Sequence, residues 1–236
     1  MNSADPQIGR HVVLQPRRYH PAKTLLVAGT VLLAIVLWTA RHMTQDRALD
    51  TMAFQGETMA TVYHVTVVDP PDDWTEASIR RLIENSLRRV NEALSPYLPH
   101  SEITRFNEWP ADRPFELSPL MERMVSSSLA YHELTGGAFD PTVGPLVDLW
   151  GFGIRGRHRR TPARGEVERV MESVGAGLLA WREDGALIKR SAGLQLDFSA
   201  IAKGYAVDEI ADLLRERGAS DLMVEVGGEV RTAGRN

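Results

Sequence analysis

Along Thr61–Val68, apolar Tyr63, Val65 and Val67 alternate with Val62, His64 and Thr66, a period of two that predicts a strand. Asp69–Asp73, with two prolines, ends it. Ile79, Leu82, Ile83, Leu87, Val90 and Leu94 then recur at helical spacing and mark one face of an amphipathic helix with Thr75 or Asp73 as N-cap. Ser95–Arg113 reads as loop, with a helical turn at Ile103 and Phe106. Ser118-Pro119 is an N-cap followed by an N1 proline, and it opens a helix whose stripe is Leu120, Met121, Met124, Val125 and Leu129, closed by Gly136. Gly136–Gly153 is rich in Gly, Pro and aromatics and has little periodicity. Arg155–Arg160 is a basic surface loop. Thr161-Pro162 opens another helix (Val167, Val170, Met171, Val174), closed by Gly175. Leu178–Arg182 and Ala186–Arg190 flank the turn Glu183-Asp184-Gly185 and predict a hairpin. Leu194 and Leu196 alternate with Gln195 as a short buried strand running into Asp197 and Phe198. Ser199 is the expected N-cap of the helix that follows and ends at Gly218. Leu222–Val226 is a further strand, leading to Gly227-Gly228-Glu229.

The N-terminal pattern differs. Met1–Lys23 is polar, basic and proline-containing, and reads as a disordered tail. Thr24–Ala40 is an uncharged run near the short limit for a membrane helix. A cleaved signal peptide and a buried core helix are the competing readings. The run is long for a signal segment and no small-x-small cleavage site follows it, so an uncleaved signal anchor is favoured. Arg17, Arg18 and Lys23 precede it, against Arg41 and Arg47 after it, which places the N-terminus in the cytoplasm and the body outside the inner membrane. Residues 41–53 are a linker and 54–236 the main domain.

Composition sharpens this division. The first 41 residues hold five Lys and Arg and one Asp, so the remainder carries 22 basic against 30 acidic residues and is net acidic. That argues against nucleic acid as a partner. There is no cysteine, hence no disulfide and no thiolate metal site. The sequence has no GxGxxG fingerprint after a strand, no GxxxxGK[ST] loop, no HExxH and no GxSxG elbow.

What remains is a junction. A strand ending in Asp197 meets a helix start at Ser199, with Lys203 at its second turn. Bare amides and a helix dipole favour an anion such as a nucleotide phosphate there. Asp140 lies in the irregular glycine-rich segment, a ligand-loop candidate. With Glu225, Glu229 and the glycines Gly136-Gly137 and Gly227-Gly228, these residues form a carboxylate-rich set without His or Cys. Such a set suits a hard oxygen-liganded ion such as Mg²⁺. The alternative is a plain strand–helix junction with surface charges.

Five ordered stretches resemble the ApbE family of FAD:protein FMN transferases: Phe54–Val67, Leu94–Asn107, GGAFDPTVGPLVDLWGFG, Leu196–Leu214 with its IAKGYAVD core, and Val224–Asn236. The resemblance implies an α+β domain of mixed or antiparallel sheets flanked by helices, following one transmembrane helix. It implies a tethered periplasmic enzyme that binds FAD with Mg²⁺ and transfers FMN to a threonine or serine hydroxyl of an acceptor flavoprotein subunit in a respiratory or redox complex, releasing AMP. By the same resemblance Met59, Tyr97, Ala138, Phe139, Asp140, Asp197 and Lys203 contact the flavin nucleotide. Ala200 offers its backbone carbonyl to the metal. Ala60 departs from the family's usual glycine, and Phe198-Ser199 from a smaller pair. The family's later segment, with an acidic metal cluster, does not follow Asn236, so an incomplete protein is expected. The competing functional readings are a flavin-binding accessory protein and an FAD pyrophosphatase.

Overall fold

The computed structural model describes residues 29–39, 49–154 and 160–235. The chain divides into two units, Met1–Ala48 and Leu49–Asn236. Of the first, residues 29–39 form a helix, α1. Among the described residues no helix is long and apolar enough to cross a membrane. The expected tail, the rest of the expected span, most of the linker and residues 155–159 of the basic loop lie outside the described residues.

The second unit is built on a four-stranded antiparallel sheet of order β1-β2-β5-β6: β1 (Thr51–Thr58), β2 (Thr61–Val68), β5 (Asp221–Val226) and β6 (Glu229–Ala233). The alternation read in β2 sets its register. Tyr63, Val65 and Val67 face inward and stand opposite Val226, Val224 and Leu222. All six are buried, and each large apolar side chain removed from water contributes roughly 1.5–3 kcal/mol. His64 lies on the other face, where its Nδ1 pairs with Glu225 Oε2 at 2.7 Å. It is a strand-face residue, as its place in the pattern implied. Strand β1 was not legible, because only Phe54 and Thr58 are buried along it. It also starts at Thr51, so 51–53 are sheet rather than linker.

Helices α2 (Glu76–Leu94) and α7 (Ala202–Glu216) pack on the inner face of the sheet. Thr75 caps α2, its hydroxyl accepting from Ser78 N at 3.3 Å. The apolar stripe Ile79, Ile83, Leu87, Val90 and Leu94 is buried as patterned. Helix α3 (Glu102–Glu108) and helix α4 (Pro119–Leu134) follow, α4 capped by Ser118, whose Oγ accepts from Met121 N at 3.2 Å. Buried Glu102 ties the two together by accepting from Ser118 N at 2.6 Å.

The glycine-rich stretch contains one short helix, α5 (Gly144–Leu149), and is otherwise irregular. Helix α6 (Arg164–Met171) starts later than Thr161-Pro162 predicted, with Ala163 as N-cap. The reason is Glu166. Its carboxylate accepts from Ala163 N at 2.8 Å and is gripped by Arg160 at 2.7 and 2.9 Å, so the N-cap falls three residues before it. These hydrogen bonds, Arg160 foremost, hold the Glu166 carboxyl down at about 2. Strands β3 (Leu179–Trp181) and β4 (Leu187–Lys189) form the expected antiparallel hairpin.

Candidate nucleotide cleft

Leu194, Leu196 and Phe198 are buried in alternation, as a strand requires, yet no ladder forms. Gln195 makes one parallel bridge to Val143, and Asp197 N donates to Pro141 O at 2.8 Å. Leu196 is held by a side chain instead of a strand. Asn107 Oδ1 accepts from Leu196 N at 2.8 Å, and Asn107 Nδ2 donates to Leu196 O at 3.0 Å. The side-chain amide of Asn107 thus takes the place of a neighbouring strand. Asn107 closes one of the resembling stretches, but nothing in its local pattern marked this role.

The helix start also differs from expectation. Ser199 is not the N-cap. Its N–H turns back onto Asp197 Oδ1 at 2.7 Å, and Phe198 O accepts from both Ile201 N and Ala202 N. Ile201 stands at the N-cap position, and no side chain caps α7. The first turn therefore keeps amides that an anion can take.

Two cavities meet at this turn. The first, about 660 Å³, is lined by Tyr97, Asn107, Ala138, Phe139, Asp140, Asp197, Ser199 and Ala200, with α5 on the far wall. The second, about 810 Å³, is lined by Met59, Ala60, Tyr97, Ser199 and Lys203, with α2 behind them. Pro96, Tyr97 and Ser199 line both. Asp197 and Lys203 therefore do not converge on one point. They occupy adjoining chambers on either side of the 198–201 turn. The arrangement suits an elongated ligand with a polar group at one end and an anionic middle.

Each predicted residue has a distinct environment. Asp197 has one carboxylate oxygen engaged by Ser199 and no other protein partner among the described residues. Lys203 Nζ donates to Gly227 O at 3.3 Å. Asp140 is different, because its carboxylate is spent on the loop. Oδ1 accepts from Thr142 N at 2.8 Å and Thr142 Oγ1 at 2.6 Å, and Oδ2 from Ala176 N at 3.3 Å. Thr142 Oγ1 in turn accepts from Gly175 N at 2.7 Å, which fastens the glycine-rich segment to the turn before β3. Asp140 is thus an organiser of the cavity wall.

Glu225 and Glu229 are not brought to the cleft. Glu225 stays on the outer sheet face with His64 and accepts from Gly228 N at 2.6 Å, and Glu229 opens β6. His64 and the Gly228 amide hold the Glu225 carboxyl below its usual range. The glycine at 227 serves the fold rather than a ligand: at φ +56, an added Cβ would lie 2.7 Å from Thr61 Cγ2 and 3.1 Å from Lys203 Cδ.

The Met59-Ala60 turn has a feature that explains the usual glycine there. Thr58 pairs with Thr61, leaving a two-residue hairpin, and Met59 and Ala60 have φ of 48° and 57°. A primed turn needs positive φ at both central positions. Ala60 supplies it with a side chain in the left-handed region, at the wall of the second cavity.

Among the described residues no three His, Cys, Asp or Glu side chains group into a metal cage. Mg²⁺ takes few protein oxygens and keeps waters and phosphate oxygens. The Ala200 carbonyl, at the cavity wall and outside the helix hydrogen-bond ladder, fits it as one donor.

The fold and this cleft define an α+β protein with a two-chambered candidate site at a helix start that no side chain caps. The ApbE family model matches residues 59–236. A FAD:protein FMN transferase of Vibrio cholerae is 35% identical over 191 residues, 81% of this chain and 57% of that protein. Its counterpart from Haemophilus influenzae is 32% identical over 216 residues, 89% of this chain and 62% of that protein. The solved flavin transferase ApbE from Vibrio cholerae aligns with a TM-score of 0.76 at 35% identity, over 80% of this chain and 60% of that one. The Pseudomonas stutzeri flavinyl transferase ApbE, in its apo form, gives 0.75 at 33% identity, over 80% and 62%. The chain belongs to the ApbE family. It spans 57% and 62% of the length of these two curated relatives.

Proposed function

We propose that this chain carries FAD:protein FMN transferase chemistry, moving FMN from FAD to a threonine or serine hydroxyl of an acceptor flavoprotein with release of AMP. The observation that carries the proposal is the pair of cavities joined at Tyr97 and Ser199, in a member of a family whose curated relatives bear that activity in their names. FAD is long, with two ring systems separated by a pyrophosphate, and matches a cleft with two chambers and a phosphate-ready waist.

In this reading the acceptor oxygen attacks the phosphorus on the FMN side of the pyrophosphate. The bond from that phosphorus to the bridging oxygen breaks, AMP departs, and the hydroxyl proton passes to a base. The chain's residues bind and orient. The free amides at the start of α7 and the Lys203 ammonium take pyrophosphate charge. Asp197 accepts from a ribose or base edge, and Tyr97 lies between the chambers. Mg²⁺, with the Ala200 carbonyl as one ligand, supplies charge stabilisation on the phosphoryl oxygens when bound. The acceptor is proposed to be a subunit of a periplasmic respiratory or redox complex. The chain is proposed to reach it as a single-pass inner-membrane protein, anchored through Thr24–Ala40.

The test is intact-mass spectrometry of a co-expressed acceptor, with FAD and Mg²⁺. The acceptor should gain the mass of FMN, lose that gain when its target threonine is changed to alanine, and lose it with EDTA. Tight FAD binding without mass gain would replace this proposal with an accessory flavin binder. Free FMN and AMP without mass gain would replace it with a pyrophosphatase.

A further inference from the structure

Lys189 ends β4 on the same strand face as buried Leu187 and is itself 1% exposed. A buried lysine is normally paired with a carboxylate. Among the described residues Lys189 has none. Its Nζ donates to two backbone carbonyls, Asn107 O at 2.5 Å and Leu194 O at 3.2 Å, and lies 5.7 Å from the centroid of the Phe106 ring. The ring face and the two carbonyls are the charge's compensation. Burial nevertheless pushes the ammonium down to about 8.

The two carbonyls belong to the two segments that the cleft needs in register. Asn107 lies in the last turn of α3, and its side-chain amide holds both backbone groups of Leu196. Leu194 begins the segment that carries Gln195, Leu196 and Asp197 along the first cavity. That segment has no strand ladder. Besides the Leu194 N–Ser191 O turn bond, its polar fastenings among the described residues are one bridge to Val143, one bond to Pro141, the Asn107 clamp and the Lys189 ammonium. A hydrophobic residue at 189 would fill the space, but it could not bind two carbonyls that point inward.

We propose that Lys189 is a positioning residue for the cleft, its buried ammonium drawing the end of α3 and the Leu194–Asp197 wall together and so setting where Asp197 meets the ligand. The proposal rests on the reading of the cleft as the FAD site only for its binding arm. Its structural arm stands apart from function.

The experiment uses the full chain and Lys189→Met, which keeps an unbranched side chain and removes the charge. Lys189→Met removes a buried charge but leaves the Asn107 and Leu194 carbonyls without that donor, so the variant is expected to fold and to melt somewhat below the wild-type temperature. Hydrogen exchange of the Leu196 and Asp197 amides should accelerate at least tenfold, while amides of the β1-β2-β5-β6 sheet keep their wild-type rates. FAD affinity, followed by flavin fluorescence, should fall about tenfold. Unchanged exchange at residues 194–198, or an exchange increase spread evenly over the whole domain, would overturn the proposal and leave Lys189 a general core residue. Local loosening with unchanged FAD affinity would also overturn it. Wild-type protein that fails to bind FAD at all would instead refute the flavin reading, and the exchange arm would then decide the proposal alone. Should Lys189→Met fail to fold, Lys189→Gln, uncharged but still a donor, takes its place with the same exchange pattern expected at smaller amplitude.

Discussion

At the scale of single residues, conformation and burial matter more here than residue type. Ala60 is an ordinary small residue by composition, yet it holds φ of 57° beside Met59 at 48°. The left-handed region costs a residue with a Cβ roughly 1–2 kcal/mol, and glycine removes that cost. Ala60→Gly is therefore expected to raise stability by about 1 kcal/mol, read as a higher urea midpoint with unchanged slope. An equal or lower midpoint would show that the turn is not strained. Lys189 is the second case, and the variant Lys189→Met carries a pH signature as well. The folded ammonium titrates near 8, below its ordinary 10.5. Between those values the unfolded chain holds more protons than the folded one, so stability rises with pH across that window. The stability of wild type relative to Lys189→Met should thus climb from pH 8 to 10.5 and be flat below 8. A flat difference throughout would mean that the ammonium is not buried as described.

At the scale of elements, the start of α7 organises the cleft. A helix of this length with no capping side chain leaves first-turn donors available. The preceding turn spends Ser199 N–H on Asp197 rather than on the helix. Two variants probe this end. Lys203→Ala removes the cation beside the second cavity, and Asp197→Asn removes charge from the first while keeping an acceptor for Ser199 N–H. Each should weaken FAD binding by about 1–3 kcal/mol, the range for losing a charge-assisted hydrogen bond. Stability should change little, because neither side chain belongs to the buried stripe of Ala206, Val207, Ile210, Ala211 and Leu214. Unchanged flavin titrations in both variants would return these residues to surface roles.

At the scale of the molecule, the sheet and its covering helices α2 and α7 form the frame, and the long irregular stretches between them form the cleft walls. That division makes sense physically, because loops fixed to a rigid scaffold can present polar groups that a packed element must bury. The placement of this unit across a membrane is a property of the whole chain. It is proposed from the charge excess before Thr24 and the uncharged run after it. Alkaline phosphatase fused after Asp50 should be active in a bacterial host. An inactive fusion, with a fluorescent cytoplasmic reporter at the same junction, would place the domain inside.

The elements with strong periodicity and caps were legible in the sequence alone: β2, α2 with Thr75, α4 with Ser118, the β3–β4 hairpin and β5. Their signals are local, since a period of two or 3.6 and a capping hydroxyl act within a few residues. The stretches that the resemblance singled out between Met59 and Lys203 also line the two cavities. Other features rest on contacts far apart in the chain and were decided only by the tertiary structure. Leu194–Phe198 alternates like a strand but is paired by the Asn107 side chain, and Ser199 looks like a cap but is turned aside by Asp197. Glu225 reads as a site carboxylate until strand pairing places it opposite His64, on the outer face. Nothing in the hairpin pattern singles out Lys189, and only the β4 register turns it inward toward two carbonyls. Pattern determines what each segment forms. Which buried polar groups find partners depends on which segments meet, and that is set by packing of the whole domain.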